Sequence, residues 1–517
     1  MDQGDEKAGA EMEREVNSEG FVQSTFQEAR DSQKNVGNAA TKKGELSMVL
    51  ILVTVASCLI PMQHGYNLWV LYNTVGLLPS FYNITRPEEA DFQITLLSIT
   101  VTMFPLGASF ATVPAGWLLD RFGRKVALFI TNLSAIIFAV VMTFSLSVHN
   151  HGYIIFSRLC SGISTGICFC VGPLYLGEIS PRSLRGGIIM MYQLFYLFGF
   201  LVAQILCLQE VLGTGKGFPI LIKLFGVMPF LQLPLLPFLP ESPRYLLIQK
   251  RDEESSRKAL KKLRNRNDVE DEIEELHQED VAEKSEKNMK PLKLLYAKKL
   301  RRQVIAIIVL KVGQQFDGIS VAYSYAERNL RNINMGIYSS RFATIASTTF
   351  LCMSMVFGIF ITDYKGRRFS LLIGFGVSGF ICVLLTVAME LQSVISDMGY
   401  FSIILICIFL FAHGIGPGPL PSVLVVELFL QSSRSSAIVI AQFLHWVLSF
   451  LVGLIFLYIE IHIGPYSLIF FCPFGFAIFV YIFKFIPETR NRTFVEIRGK
   501  VNTRNPRRVH FKMPSPK

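Results

Sequence analysis

Asp120-Arg121-Phe122-Gly123-Arg124-Lys125 and Asp363-Tyr364-Lys365-Gly366-Arg367-Arg368 are the two stretches that decide the fold. Each is a short charged segment hinged on one glycine and set between two long apolar runs. Such a segment can turn the chain between membrane helices only on a water-exposed side. Its recurrence at matching places in both halves points to one six-helix unit used twice, the plan on which many secondary transporters build a central substrate path.

Outward from these turns, the composition agrees. With 51% hydrophobic residues and 43 Phe in 517 residues, the chain is too apolar for an ordinary soluble enzyme. Apolar runs of about 20 residues predict spans near 47–68, 93–118, 126–147, 152–177, 186–208, 218–239, 303–326, 342–362, 369–390, 399–422, 437–459 and 465–486. The expected fold class is an all-α polytopic membrane protein, with twelve transmembrane helices in two six-helix bundles. The expected division is a disordered tail at 1–45, a bundle at 46–239, a loop with short helices at 240–302, a second bundle at 303–486 and a tail at 487–517.

Basic residues set the orientation, because Lys and Arg accumulate in cytoplasmic loops. One set of short loops carries Arg121, Arg124, Lys125, Arg182, Arg185, Lys365, Arg367, Arg368 and Arg434. The opposite set carries only Arg86, Lys216, Arg328, Arg331 and Arg341. Both termini are therefore expected to be cytoplasmic. The net charge of +11 then reflects topology and anionic inner-leaflet lipid, and no aromatic-interleaved basic groove suggests nucleic acid. All nine cysteines fall in predicted spans and read as small hydrophobes. Asn83-Ile84-Thr85, in the longest outer loop, is the expected glycosylation site. In the long inner loop, Leu260, Leu263, Ile273 and Leu276 recur three residues apart and predict amphipathic helices rather than a solvated linker.

A polar solute needs a path lined by amides, imidazoles and aromatic rings that can replace water around its hydroxyls. Gln193, Gln314, Gln315, His413, Gln442, His445 and Trp446 lie at midspan depth and fit that list. Gln442 and His445, three apart, share one helix face. Span 10 is broken by Gly414, Gly416, Pro417, Gly418, Pro419 and Pro421, as flexing transporter helices are. Span 7 also carries Lys311 and Asp317. A charge at the bilayer centre costs about 2.5–3.5 kcal/mol even on the lenient insertion scale. Six residues apart, the two point about 240° from one another and should not pair. Lys311 is expected to snorkel toward the inner face, and Asp317 to face the cavity and alter selectivity or pH dependence.

Pro240-Glu241-Ser242-Pro243-Arg244-Tyr245, the two basic turns, Gln314-Gln315 and Pro487-Glu488-Thr489 together resemble the sugar porters of the major facilitator superfamily, specifically the facilitative hexose transporters. The resemblance runs from about 46 to 499. His413-Gly414, the Gly416-Pro417-Gly418-Pro419 run, Leu428 to Arg434 and His445-Trp446 are most similar to the branch of the mammalian fructose transporter. The resemblance implies that Gln193, Gln314 and Gln315 contact sugar hydroxyls. It implies further that His413, Ser422, His445 and Trp446 shape a fructose-type pocket, with His64, Asn67 and Ser320 in the same substrate-binding set. Glucose-preferring members carry Trp where this chain has Ser422, and hexose transporters carry Asn where it has Ser320 and Leu351.

The resemblance also implies gating salt bridges among Arg124, Glu178, Arg185, Glu241, Arg244, Arg367, Arg368, Glu427 and Arg434, at the inner helix ends. Proton-coupled relatives place an Asp near an Arg where this chain has Asn67 and Arg158, and an amide cannot titrate. The expectation is thus a facilitative uniporter for a hexose, with fructose the first candidate, in the plasma membrane. Urate or another organic anion, favoured by Lys311, and a non-transporting solute sensor are the alternatives. No phosphate-cradling loop, metal-ligand spacing or catalytic triad is present, so neither enzyme activity, ATP, cofactor nor metal is expected; the partners are a sugar and the lipid bilayer.

Overall fold

The computed structural model describes residues 46–73, 90–148, 150–283, 289–319, 337–392, 394–395, 398–463, 467–494 and 496–497. Asn83, Ser320 and the tails at 1–45 and from 498 onward lie outside the described residues. The first half comprises α1 (Met48–Asn73), α2 (Ala90–Phe122), α3 (Arg124–Val148), α4 (His151–Ile179), α5 (Arg185–Leu206) and α6 (Phe218–Phe238). The 240–302 loop folds as α7 (Glu253–Arg264), α8 (Glu270–Glu283) and α9 (Pro291–Tyr296). The second half comprises α10 (Arg301–Gln315), α11 (Ile337–Lys365), α12 (Arg367–Leu391), α13 (Met398–Ile415), α14 (Leu420–Leu428), α15 (Gln431–Ile463) and α16 (Ser467–Phe485).

Eleven described segments are long and apolar enough to cross a membrane, α13 and α14 counting as one. The short α10 takes the seventh place in the twelve-helix order. Side chains such as Phe144, Phe230, Phe360 and Phe483 project outward, as lipid-facing residues must. The core is made where helices approach closely. On α4, Gly162 and Gly166 lie so near the carbonyls of Phe104 and Ala108 on α2 that a Cβ would overlap them, a small-residue crossing suited to lipid.

Both basic turns reverse the chain at a glycine with positive φ, +89° at Gly123 and +103° at Gly366, a conformation costly to any residue with a Cβ. Where the sequence predicts continuous spans, prolines change the outcome. α6 is a run of short α and 3₁₀ pieces, because Pro219, Pro229, Pro234 and Pro237 remove backbone donors. α13 ends at Ile415 and the chain resumes as α14 after the Gly-Pro run. α10 stops at Gln315, followed by a turn and by Gly318 at φ +92°. The loop helices are sharply bounded: Asp252 caps α7 by accepting from the Ser255 N–H at 2.9 Å, and Asn265 ends it in the left-handed region. Leu260, Ile273 and Leu276 join Leu247, Ile248 and Val269 in a small core of their own, and Leu263 is buried against the main core.

Candidate functional site: paired ion-pair clusters and buried polar residues

The two basic turns nucleate the same construction twice. The carboxylate of Glu241 accepts the backbone N–H groups of Arg124 and Lys125 at 3.0 and 3.2 Å, so it caps the positive end of α3. Glu488 does the same for α12, accepting from the Arg367 and Arg368 N–H groups at 2.9 and 3.1 Å. The arginine that opens each helix then reaches the glutamate ending the helix beside it. Arg124 grips Glu178 with Nε and Nη2 at 2.9 and 3.0 Å, and Arg367 Nη2 meets Glu427 at 3.4 Å. A hydroxyl completes each carboxylate: Ser242 donates to Glu178, and Thr489 to Glu427 at 2.5 Å. Pro-Glu-Ser and Pro-Glu-Thr are thus equivalent parts, one residue capping a helix and the next holding a buried glutamate. Burial pushes the Glu241 carboxyl up, which the backbone N–H groups partly offset.

Arg434 joins the two halves at the end of the helices that carries the basic turns. Its Nη2 donates to Glu279 of α8 at 3.0 Å, and its Nη1 lies 3.9 Å from Glu178 of α4, all three side chains being buried. Glu279 also pairs with Arg244, which reaches Glu275 at 3.3 Å, while Arg182 pairs with Glu275 at 2.6 Å. Into this network the C-terminal segment inserts Phe494, whose buried ring meets the guanidinium carbons of Arg185, Arg434 and Arg244 at 3.9, 4.0 and 4.7 Å. One arginine comes from each half and one from the loop, so the ring ties all three together.

Three residues expected as gate ion pairs act otherwise. Arg185 has no carboxylate within ion-pair distance among the described residues and instead stacks on Phe494. Arg368 sends its guanidinium to the Phe483 carbonyl at 2.6 Å, at the exposed periphery. Glu241 is spent on backbone N–H groups. Nothing in the sequence pattern singles out Glu275, Glu279 or Phe494, whose contacts depend on how loop and tail dock onto the helix ends.

Deeper in the protein, α10 faces α14 and α15. Gln315 Nε2 lies 2.7 Å from His445 Nδ1, and Gln314 donates to the Gly418 carbonyl in the break after α13. Lys311 Nζ donates to Gln314 Oε1 at 2.9 Å and to Ser422 Oγ at 3.0 Å. The side chain is 1% exposed, so Lys311 does not snorkel to the inner face. Two neutral acceptors at hand, one on the next turn and one across the break, hold it in the interior. Asp317 does not face the cavity either. It bonds Ser378 Oγ of α12 at 2.7 Å and His413 Nδ1 of α13 at 2.7 Å, because the turn after Gln315 swings it toward those helices. His413 is thereby committed to Asp317. Lys311 and Asp317 do not pair with each other, in keeping with their angular separation.

Of the remaining expected residues, Gln193 on α5 is half-buried and has no hydrogen-bond partner among the described residues. Trp446 packs edge-on to Phe169 and His445, at 5.5 and 5.0 Å, and its Nε1 has no partner among them. Gln442 Oε1 and Asn67 Oδ1 are buried and likewise unpartnered. Asn67 gives only its backbone carbonyl to Arg158 Nη1 at 3.0 Å. His64 is buried, its Nδ1 3.0 Å from Thr165 Oγ1 of α4. Leu351 is part of the core packed beside α13.

A sequence profile of the family described as "Sugar (and other) transporter" matches residues 52–500. The human protein named solute carrier family 2, facilitated glucose transporter member 5, is 42% identical over 464 residues, covering 88% of this chain and 92% of its own. Human member 7 of that family is 38% identical over 472 residues, covering 90% and 92%. Among solved structures, the proton:xylose symporter XylE bound to 6-bromo-6-deoxy-D-glucose superposes with a TM-score of 0.78 at 20% identity, over 88% of this chain and all of that one. XylE in an inward open conformation superposes with a TM-score of 0.65 over 87% and 99%. With the construction repeated in both halves, the many apolar helices and these matches all in agreement, the chain belongs to the sugar transporter family.

Proposed function

We propose that this protein is a facilitative carrier that moves a hexose, with fructose the first candidate, across the plasma membrane by alternating access. The observation that supports this reading is Gln193, half-buried and with no hydrogen-bond partner among the described residues, in a protein that also holds the Gln315–His445 pair and an Arg434 network linking its two halves. Amides and imidazole exchange hydrogen bonds with sugar hydroxyls without fixing a charge on the cargo. A gate of ion pairs between two halves can break and reform as the halves rock.

Uniport is favoured by the pairing of Arg158 with a backbone carbonyl at Asn67, where no titrating carboxylate stands. The same proposal places both termini in the cytoplasm, divides the chain into bundles at the 240–302 loop, and needs neither ATP nor nucleic acid. Uptake of labelled fructose, glucose and urate into proteoliposomes tests it, with Gln193→Ala as the control. Saturable fructose uptake that shows counterflow and falls about tenfold or more in Gln193→Ala is the expected result, since a lost polar contact of about 1.5 kcal/mol corresponds to roughly that factor. Saturable binding without counterflow would select a sensor instead.

A further inference from the structure

Among the described residues around the Gln315–His445 pair, Lys311 carries a charge that a neutral hexose does not need. Its ammonium has three donors. Two are taken by Gln314 Oε1 and Ser422 Oγ, both uncharged. Among the described residues no carboxylate stands within ion-pair distance of Nζ, and the acid of the turn that follows α10, Asp317, is occupied by Ser378 and His413. A lone buried ammonium with only neutral acceptors lacks the compensating charge that buried cations ordinarily keep. The side chains that hold it are not themselves sealed. Gln314 and Ser422 are half-buried, and Gln314 adjoins the Gln315–His445 pair. An anionic group entering the path beside those amides reaches Nζ by displacing weak neutral acceptors with a charge-assisted bond.

We infer that Lys311 makes this carrier accept, beside neutral hexose, a hexose that bears a carboxylate: a hexuronate, whose hydroxyls take the amide contacts and whose carboxylate supplies the missing counter-charge at Nζ. The inference rests on the hexose-carrier reading. Ser422 contributes by being small and polar, for it lets the Lys311 side chain cross from α10 to α14 and leaves that acceptor exchangeable.

The test is competition against labelled fructose uptake in proteoliposomes, with glucuronate and its uncharged amide, glucuronamide, as paired probes that differ in one charge. For the wild-type protein glucuronate should inhibit at least tenfold more strongly than glucuronamide, and labelled glucuronate should itself enter. In Lys311→Met the ratio of glucuronate to fructose uptake should fall about tenfold, and Lys311→Arg should restore it. Equal inhibition by the two probes in the wild type would overturn the inference and leave Lys311 as a tether between α10 and α14, with the hexose-carrier reading intact. Glucuronate uptake without fructose uptake would support Lys311 as an anion site and remove fructose as cargo. Failure of every monosaccharide to enter the wild-type vesicles would overturn both.

Discussion

Replacing Arg434 by alanine should open the inner side. In the closed arrangement Arg434 makes two kinds of contact. Those to the Phe429 carbonyl at 3.1 Å and Gln431 Oε1 at 2.6 Å lie within its own segment and cancel between closed and open states. Those to Glu279, Glu178 and the Phe494 ring cross between parts that must separate. Breaking a buried ion pair by removing one partner costs about 3–5 kcal/mol when the other is left alone. Here Glu178 keeps Arg124 and Glu279 keeps Arg244, so the net loss from the closed state is nearer about 2–3 kcal/mol by the same reasoning. At about 1.4 kcal/mol per tenfold, the closed-to-open ratio should fall roughly 30- to 140-fold. Spin labels on the exposed residues Arg121 and Lys365, one at each basic turn, report that ratio as a distance distribution. All the cysteines are free, so native ones can be replaced without breaking a disulfide. A longer-distance population should dominate in Arg434→Ala. A distribution superimposable on that of the parent would refute the assignment of Arg434 as the tie between the halves.

Two further predictions address the span 7 break and the loop. Asp317→Ala leaves His413 Nδ1 and Ser378 without their shared partner in the interior, at a cost of about 1–3 kcal/mol; thermal unfolding in detergent should fall by several degrees, and an unchanged midpoint would show the pair to be dispensable. Burial alone would raise the Glu275 carboxyl, yet Arg244 and Arg182 outweigh it and hold the carboxyl below its ordinary value near 4.5. A group depressed in the folded state adds stability above its unfolded pKa and loses it as pH falls through the folded one. Acidification below about pH 4.5 should therefore lower the unfolding temperature of the wild type more steeply than that of Glu275→Gln, and parallel curves would contradict the assignment.

The scaffold was readable because membrane constraints are written locally. A span shows as an apolar run, an inner loop as a basic one, and the turns at Gly123 and Gly366 as glycines between charges. Arg124, Glu178, Arg367 and Glu427 stood out as candidates for a related reason: the same residue types recur at equivalent places in both halves, whereas which arginine meets which glutamate came from the structure. Arg185 and Arg368 resisted that logic. An arginine at an inner helix end satisfies the positive-inside rule whether or not a carboxylate is near, and only tertiary packing sends one to Phe494 and the other to a carbonyl.

The path inside the second half shows where such reasoning stops. Helical geometry correctly separates Lys311 from Asp317, because angular offset is a property of the helix alone. Which way each then points depends on where α10 ends, and it ends at Gln315, so Asp317 belongs to a turn and not to the helical face that its number implies. The lipid cost of a charge likewise predicts that Lys311 must escape the hydrocarbon, but not by which route. Snorkelling outward and turning inward both satisfy it. The break after α13 decides, because it brings Ser422 on α14 within 3.0 Å of Nζ and gives the ammonium an inward acceptor. The glycines and prolines that interrupt span 10 thus do more than loosen a helix: they settle the direction of a charge on a different span.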